Sequence, residues 1–286
     1  MDLAELTGVR VARTEDDLVL RPGEAWLGGG SWLYSTPQPH LTGLVDLTGM
    51  GWAPTALHGD GSLRVAGTCT VADLVAAAGA WPATDPATTS AAALVRRCAD
   101  AFLMSSKIWR TATVGGNLCL GLPAGAMISL TTALDGVAEL WSPTRGARAV
   151  PVVDLVTGPG RTDRAGDELL RAVDVPAAAL TARYAFRQLA LTPVGRSSSV
   201  VVGRLDADGA CTFVVTAATT RPLRLAFPAL PGAAEVADAL AGVTTWYADP
   251  HGPADWRAGV TPVLAAEVLA ELAGAAGTAG TGEVAA

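Results

Sequence analysis

The sequence of 286 residues contains one lysine, three histidines and four cysteines, and only 16% of its side chains are charged. Against 27 acidic groups there are 20 basic ones, a net charge of −7, so a surface built to neutralise a phosphate backbone is excluded as its main purpose and no nucleic-acid partner is expected. Cys69, Cys98, Cys119 and Cys211 lie 29, 21 and 92 residues apart. That spacing matches neither paired zinc ligands nor the run that holds an iron-sulfur cluster, so the four read as buried free thiols. His40, His58 and His251 form no i, i+4 pair, and no protein-bound metal is expected. The lone lysine, Lys107, stands outside any GxxxxGK frame, which removes a Walker-type nucleotide loop. No apolar run approaches the roughly 18 residues of a membrane helix, so no membrane span is expected. The stretch Met1 to Glu5 has neither the basic start nor the apolar segment of a secretory signal, which makes the cytoplasm the expected location.

What the chain has is apolar material, half of its residues, far from the composition of disordered proteins. The patterning divides it into three lobes. Residues 1–55 read as a small α/β lobe, with Ala25-Trp26-Leu27 and Leu44-Val45-Asp46-Leu47 as short strands. Residues 56–176 form a second, α+β lobe. Leu63 to Ala66 is a strand, and Thr70 caps a helix with Asp73 reaching back. A helix spans about Ala91 to Ser105 with Leu94, Val95, Cys98, Phe102 and Leu103 on one face, and strands follow at Val137–Trp141 and Arg148–Val152. Residues 177–275 carry long alternating stretches, Tyr184–Leu191, Ser199–Leu205 and Cys211–Ala217, with Asp208-Gly209 as a hairpin turn, then helices over about Ala233–Ala241 and Ala254–Ala273. The Gly/Ala/Thr tail, 276–286, reads as disordered.

Two glycine clusters, about 85 residues apart, can carry chemistry. In Leu27-Gly28-Gly29-Gly30-Ser31-Trp32-Leu33, three residues without Cβ let a ligand approach the main chain and aim several N–H groups at one point. In Thr113-Val114-Gly115-Gly116-Asn117, a hydroxyl, two bare amides and a carboxamide offer donors at short spacing with no formal charge. Both suit a phosphate. Taken singly, Ser31, Thr113 and Asn117 read equally well as turn-capping polar residues. The acidic pairs Asp16-Asp17 and Asp167-Glu168 read as solvated turn charges.

Read together, these clusters resemble the FAD-binding subunit of the molybdenum hydroxylases, the xanthine dehydrogenase and carbon monoxide dehydrogenase group. That family carries an AGGTxL-like loop, then a TxGGN loop, a Pro-containing segment and a helix ending near LDA. Here these stand as Gly28 to Leu33, Thr113 to Asn117, Pro123 and Thr132-Ala133-Leu134-Asp135-Gly136. Val45-Asp46-Leu47, Gly67-Thr68 and Gly166-Asp167-Glu168-Leu169-Leu170 through Val175-Pro176 are further echoes, and the resemblance covers about residues 20–270.

The resemblance implies an α+β fold: a two-lobed FAD-binding domain of the PCMH type, followed by an α+β domain with a small antiparallel sheet and helices. It implies FAD as cofactor, with Leu27 to Leu33 and Thr113 to Asn117 around the diphosphate. Both loops would donate backbone N–H groups, and Ser31, Thr113 and Asn117 would add side-chain hydrogen bonds. No catalytic side chain is required, because the cofactor carries the redox chemistry. A molybdopterin-binding large subunit and a 2Fe-2S small subunit are the implied partners, and NAD or another molecule is the acceptor. The sequence departs from the pattern in two places. Ala126 stands where many relatives have an Asp near the flavin, and Trp109-Arg110 replaces Arg-Asn, its indole either stacking on a ring or packing in the core. Trp32 either wedges against a neighbouring lobe or shields the flavin. Asp255-Trp256-Arg257 reads as structural. A free-standing FAD-dependent oxidase or dehydrogenase, using His58 or His251, and a non-catalytic assembly subunit that lost its flavin stay open as alternatives.

Overall fold

The computed structural model describes residues 5–81 and 90–279. The first lobe is a parallel three-stranded sheet, β1 (Gly8–Val11), β2 (Glu24–Leu27) and β3 (Gly43–Asp46), with β3 in the centre. Ala12, Leu18, Val45 and Leu47 form its core together with Leu169 from the next lobe. Because the strands are parallel and Leu27 pairs with Asp46, both strands end at one edge of the sheet. In such sheets that edge is where ligands sit. β3 stops at Asp46, whose carboxylate accepts the Thr48 N–H at 2.9 Å and starts a 3-10 turn, Leu47–Met50, so Leu47 lies in that turn rather than in the strand.

The second lobe holds an antiparallel sheet in the order β4 (Thr55–Leu57), β5 (Leu63–Ala66), β10 (Leu169–Val175), β6 (Val137–Ser142), β7 (Gly146–Pro151). The short helix α6 (Val152–Leu155) and the two-stranded β8 (Val156–Gly158) and β9 (Arg161–Thr162) close the segment that returns to β10. Against the sheet lie α1 (Val71–Ala78), α2 (Ala91–Ala101), α3 (Ser106–Trp109), α4 (Val114–Leu120) and α5 (Ala126–Ala133), and α7 (Ala177–Thr181) follows β10. The Thr70 hydroxyl accepts the Asp73 N–H at 3.1 Å and donates to the Asp73 carboxylate at 2.7 Å, so the acid reaches back to the hydroxyl. α2 ends four residues before the expected Ser105. Leu103 sits at φ +52° and is exposed, so it leaves the apolar face that Leu94, Val95 and Cys98 form.

The third lobe is a four-stranded antiparallel sheet in chain order, β11 (Arg183–Leu189), β12 (Ser199–Leu205), β13 (Cys211–Thr216) and β14 (Leu223–Phe227), with α8 (Ala233–Ala241) and α9 (Ala254–Ala279). The alternation of β12 and β13 divides two cores: Val200, Val202 and Val214 join the second-lobe core, while Val201, Phe213 and Val215 meet Leu264, Val268 and Leu272 of α9. Every residue of both strands is buried. Gly209, at φ +91°, makes the β12–β13 hairpin turn. β14 was not expected, and α9 continues through residues 276–279 of the segment read as a tail; the rest of that segment lies outside the described residues.

Arg257 joins α9 to this sheet. Its side chain is 1% exposed, donates to the Ala217 carbonyl and to Asp249, and lies over the Tyr247 ring. Ala217 adopts φ +63°, and its N–H donates to the Pro123 carbonyl at 2.7 Å, tying the third lobe to the loop before α5. Among the described residues no helix is long and apolar enough to cross a membrane.

Candidate functional site

β2 runs straight into the first glycine cluster, which crosses from the first lobe to the second. A Cβ on Gly29 would sit 1.3 Å from the Thr111 carbonyl oxygen, so the loop closes onto the second lobe only where this residue has no side chain. The chain then turns into a short 3-10 helix, Leu33–Ser35, as the Gly30 carbonyl accepts the Tyr34 N–H at 2.9 Å. The N–H groups of Gly28, Gly29, Gly30, Ser31 and Trp32 have no acceptor among the described residues. Five consecutive half-buried or exposed donors without acceptors are left open to solvent or a ligand.

The second cluster is not the loop that the sequence suggests. Thr113 is the N-cap of α4, and its hydroxyl accepts the Gly116 N–H at 3.0 Å. The Val114 N–H donates to Cys69 O, the Gly115 N–H to Gly67 O and the Asn117 N–H to Thr113 O, at 2.9, 2.9 and 3.0 Å. The amides of residues 114–117 are therefore spent inside the protein, and the expectation that they face a phosphate is corrected. A Cβ on Gly115 would lie 2.6 Å from Gly67 O, so this glycine seats α4 on the turn after β5. Asn117 is 8% exposed, and its Oδ1 accepts the Met127 N–H at 3.0 Å, fixing the start of α5. The Thr113 hydroxyl keeps its own proton to donate.

Between these elements lies a cleft of about 580 Å³, within the usual range for small-molecule sites. Gly28, Thr113, Gly115 and Gly116 line it, with Trp26, Leu41 and Leu47 on the first-lobe side and Gly67, Cys119 and Arg164 on the second. Gly29, Gly30, Ser31, Trp32, Leu33, Val114 and Asn117 are not part of its wall: Val114 is fully buried, and Trp32 is 39% exposed. Trp109 is half-buried against the second-lobe core, with Arg96 5.3 Å from its ring centroid, which is the packing reading rather than the stacking one. Ala126 is buried in the first turn of α5.

Glu168 is the main polar feature that sequence reading misplaced. It is 2% exposed, not a solvated turn charge. Arg148 donates to it from Nε at 2.7 Å and the Ala165 N–H at 2.8 Å, and the Arg148 bonds chiefly hold its carboxyl down at about 2. Glu24, also on the cleft wall, is held at about 2 by bonds from Arg10. Cys119 lines the cleft with its thiol pushed up by burial, the nearby Arg164 acting the other way. Burial likewise raises Cys69, Cys98 and Cys211, all buried free thiols. Nothing in the spacing of Arg148 and Glu168 announces their pairing, whereas Gly67 stands in the sequence only as part of the Gly67-Thr68 echo of the family.

The family described as FAD binding domain in molybdopterin dehydrogenase matches residues 27–178, just over half of the chain and both glycine clusters. The chain belongs to this family. FAD is the cofactor of these FAD-binding domains, and the expected α+β architecture is the one observed. The chain is 35% identical over 118 residues to XdhB of Escherichia coli strain K12, assigned as a xanthine dehydrogenase FAD-binding subunit, an alignment covering 41% of this chain and 37% of that protein. It is 28% identical over 170 residues to the nicotine 6-hydroxylase medium subunit of Paenarthrobacter nicotinovorans, covering 56% of this chain and 60% of that one. The matched region thus spans less than two thirds of either relative. In fold, the chain is similar to quinoline 2-oxidoreductase from Pseudomonas putida 86, with a TM-score of 0.76, 19% identity and coverage of 94% of this chain and 97% of that one. CO dehydrogenase from Oligotropha carboxidovorans aligns with a TM-score of 0.76, 22% identity and coverage of 95% and 98%. For this FAD-binding domain, the free donors from Gly28 to Trp32 and the Thr113 hydroxyl fit a diphosphate, and the apolar walls at Trp26, Leu41 and Leu47 fit a flat ring.

Proposed function

We propose that this chain is the FAD-binding electron-transfer subunit of a multi-subunit molybdenum hydroxylase, working with a molybdopterin-binding large subunit and a 2Fe-2S small subunit. The observation that carries the reading is the cleft between the two glycine clusters, with Gly28 on its wall opening a run of five unclaimed N–H groups, inside the region matched by the family. Bound there, FAD supplies redox chemistry between the clusters of a partner chain and NAD or another acceptor.

The chain's own part is to bind and place the cofactor. The amides of Gly28 to Trp32 hold the diphosphate, and the Thr113 hydroxyl adds a donor from the second lobe while its oxygen caps α4. Gly115 seats α4 on the turn after β5, and Asn117, behind the wall, seats α5, so that the bare surface at Gly115 and Gly116 stays where a ligand needs it. No side chain has to take or give a proton. The relatives' names support the subunit reading, since both are parts of larger enzymes.

The test is the absorption spectrum of the purified chain, with the cofactor released by denaturation and identified by chromatography. FAD near one per chain is expected, and a chain that takes up none after incubation with excess FAD refutes the site. Anaerobic addition of NADH then tests the acceptor: bleaching of the flavin band is expected for NAD, and an unchanged band assigns another acceptor.

A further inference from the structure

The cleft wall carries two carboxylates and one guanidinium. Glu24 and Glu168 are each neutralised by an arginine, Arg10 and Arg148, so neither adds net charge to the space between the lobes. Arg164 has no such partner: it forms no ion pair with any of the described residues. Its Nη1 donates to the backbone carbonyls of Glu168 at 2.6 Å and Ala165 at 3.4 Å, and its Nε is buried with no acceptor. Two carbonyls fix the fork in place without cancelling its charge.

A half-buried guanidinium with an unused N–H loses hydration that nothing in the chain restores. Such a group makes short, charge-assisted bonds to a phosphate, here through Nη2, the guanidinium nitrogen that is neither bonded to a carbonyl nor enclosed. Arg164 reaches the cleft from the second lobe, while the unclaimed amides around Gly28 belong to the first. Since the amides of residues 114–117 are spent, an anion in the cleft needs a donor on the second-lobe side beyond the Thr113 hydroxyl. We infer that Arg164 is a binding residue for the diphosphate of FAD and supplies the positive charge that the glycine clusters lack. This rests on the FAD reading of the cleft.

Apoprotein titrated with FAD at several salt concentrations, followed by the change in flavin fluorescence, tests it with no turnover involved. Arg164→Met is expected to raise the Kd about 10- to 100-fold at low salt, the loss of a hydrogen bond to a charged group, and Arg164→Lys, which keeps the charge but not the fork, to raise it less. Wild-type Kd should rise with salt, and that dependence should flatten in Arg164→Met. A role confined to tethering the Glu168 and Ala165 carbonyls would weaken binding without changing the salt dependence, and that result overturns the inference. So does an Arg164→Met chain that binds FAD as tightly as wild type. If Arg164→Met fails to fold, a wild-type Kd that does not respond to salt overturns it alone. A wild-type chain that binds no FAD refutes the site itself and the inference with it.

Discussion

Gly115 and Gly116 are neighbours on α4 with similar residue environments in sequence, yet the structure assigns them opposite tolerances. A Cβ on Gly115 would meet Gly67 O at 2.6 Å, its Cα at 2.9 Å and its carbonyl carbon at 3.0 Å, all backbone atoms that cannot swing aside. Making room moves α4 off the turn after β5 and strains the Gly115 N–H to Gly67 O and Val114 N–H to Cys69 O bonds, both 2.9 Å. Overpacking of this kind costs about 1–3 kcal/mol and each impaired bond about 0.5–1.5 kcal/mol, against a gain of about 1 kcal/mol from replacing a helical glycine by alanine. A Cβ on Gly116 meets only the Thr113 Oγ1 at 2.9 Å, the end of a side chain that can rotate. There the gain in helix propensity offsets a weakened cap, which is worth about 0.5–2 kcal/mol. Gly115→Ala should therefore be less stable than Gly116→Ala by about 2–4 kcal/mol. Urea unfolding followed by circular dichroism measures the difference, and a thermal scan should show Tm lower by roughly 5–12 °C. FAD uptake should fall further in the Gly115 variant, since the displaced helix carries the cleft wall. If the two alanine variants unfold within about 1 kcal/mol of each other, the seating of α4 on Gly67 does not carry the energy assigned to it.

Two further outcomes follow from buried charge. Glu168 is held at about 2 in the folded chain against 4.5 when unfolded, so its contribution is complete above pH 4.5 and is lost as pH falls toward 2. At about 1.36 kcal/mol for each tenfold change in proton affinity, wild type should lose about 3 kcal/mol more than Glu168→Gln between pH 5 and 2, and parallel pH–stability curves for the two would contradict the pairing with Arg148. Arg257→Met should cost about 3 kcal/mol in urea unfolding by leaving Asp249 without its charged partner and the Ala217 carbonyl without the Arg257 donor; a loss below about 1 kcal/mol would show that the guanidinium does not anchor α9.

The parts of this fold that were legible beforehand are those decided within a few residues of chain. Thr70 caps α1, Asp208-Gly209 turns the hairpin, and β11, β12, β13 and α8 fall close to where alternation and helical spacing put them. The two glycine clusters were visible because a bare main chain is written directly in residue types. The misplacements have the same origin in each case. Thr113 to Asn117 read as a loop because two glycines depress helix propensity, yet α4 forms since its first turn is capped by Thr113 and its N-terminal amides reach Cys69 and Gly67, over forty residues earlier in the chain. Glu168 read as a surface charge because nothing nearby shows that Arg148, twenty residues upstream, folds across it.

What the sequence determined by itself was which chemistry is available: few cations, scattered thiols and histidines, and two places where backbone donors can face a ligand. Only the tertiary structure decided which donors are free. The first cluster keeps its N–H groups because Gly29 presses on the Thr111 carbonyl and turns the loop outside any strand or helix pattern, whereas the second spends its own on neighbouring backbone. A hydrogen bond belongs to whichever partner folding brings within reach, and for these amides the partners lie in other parts of the chain.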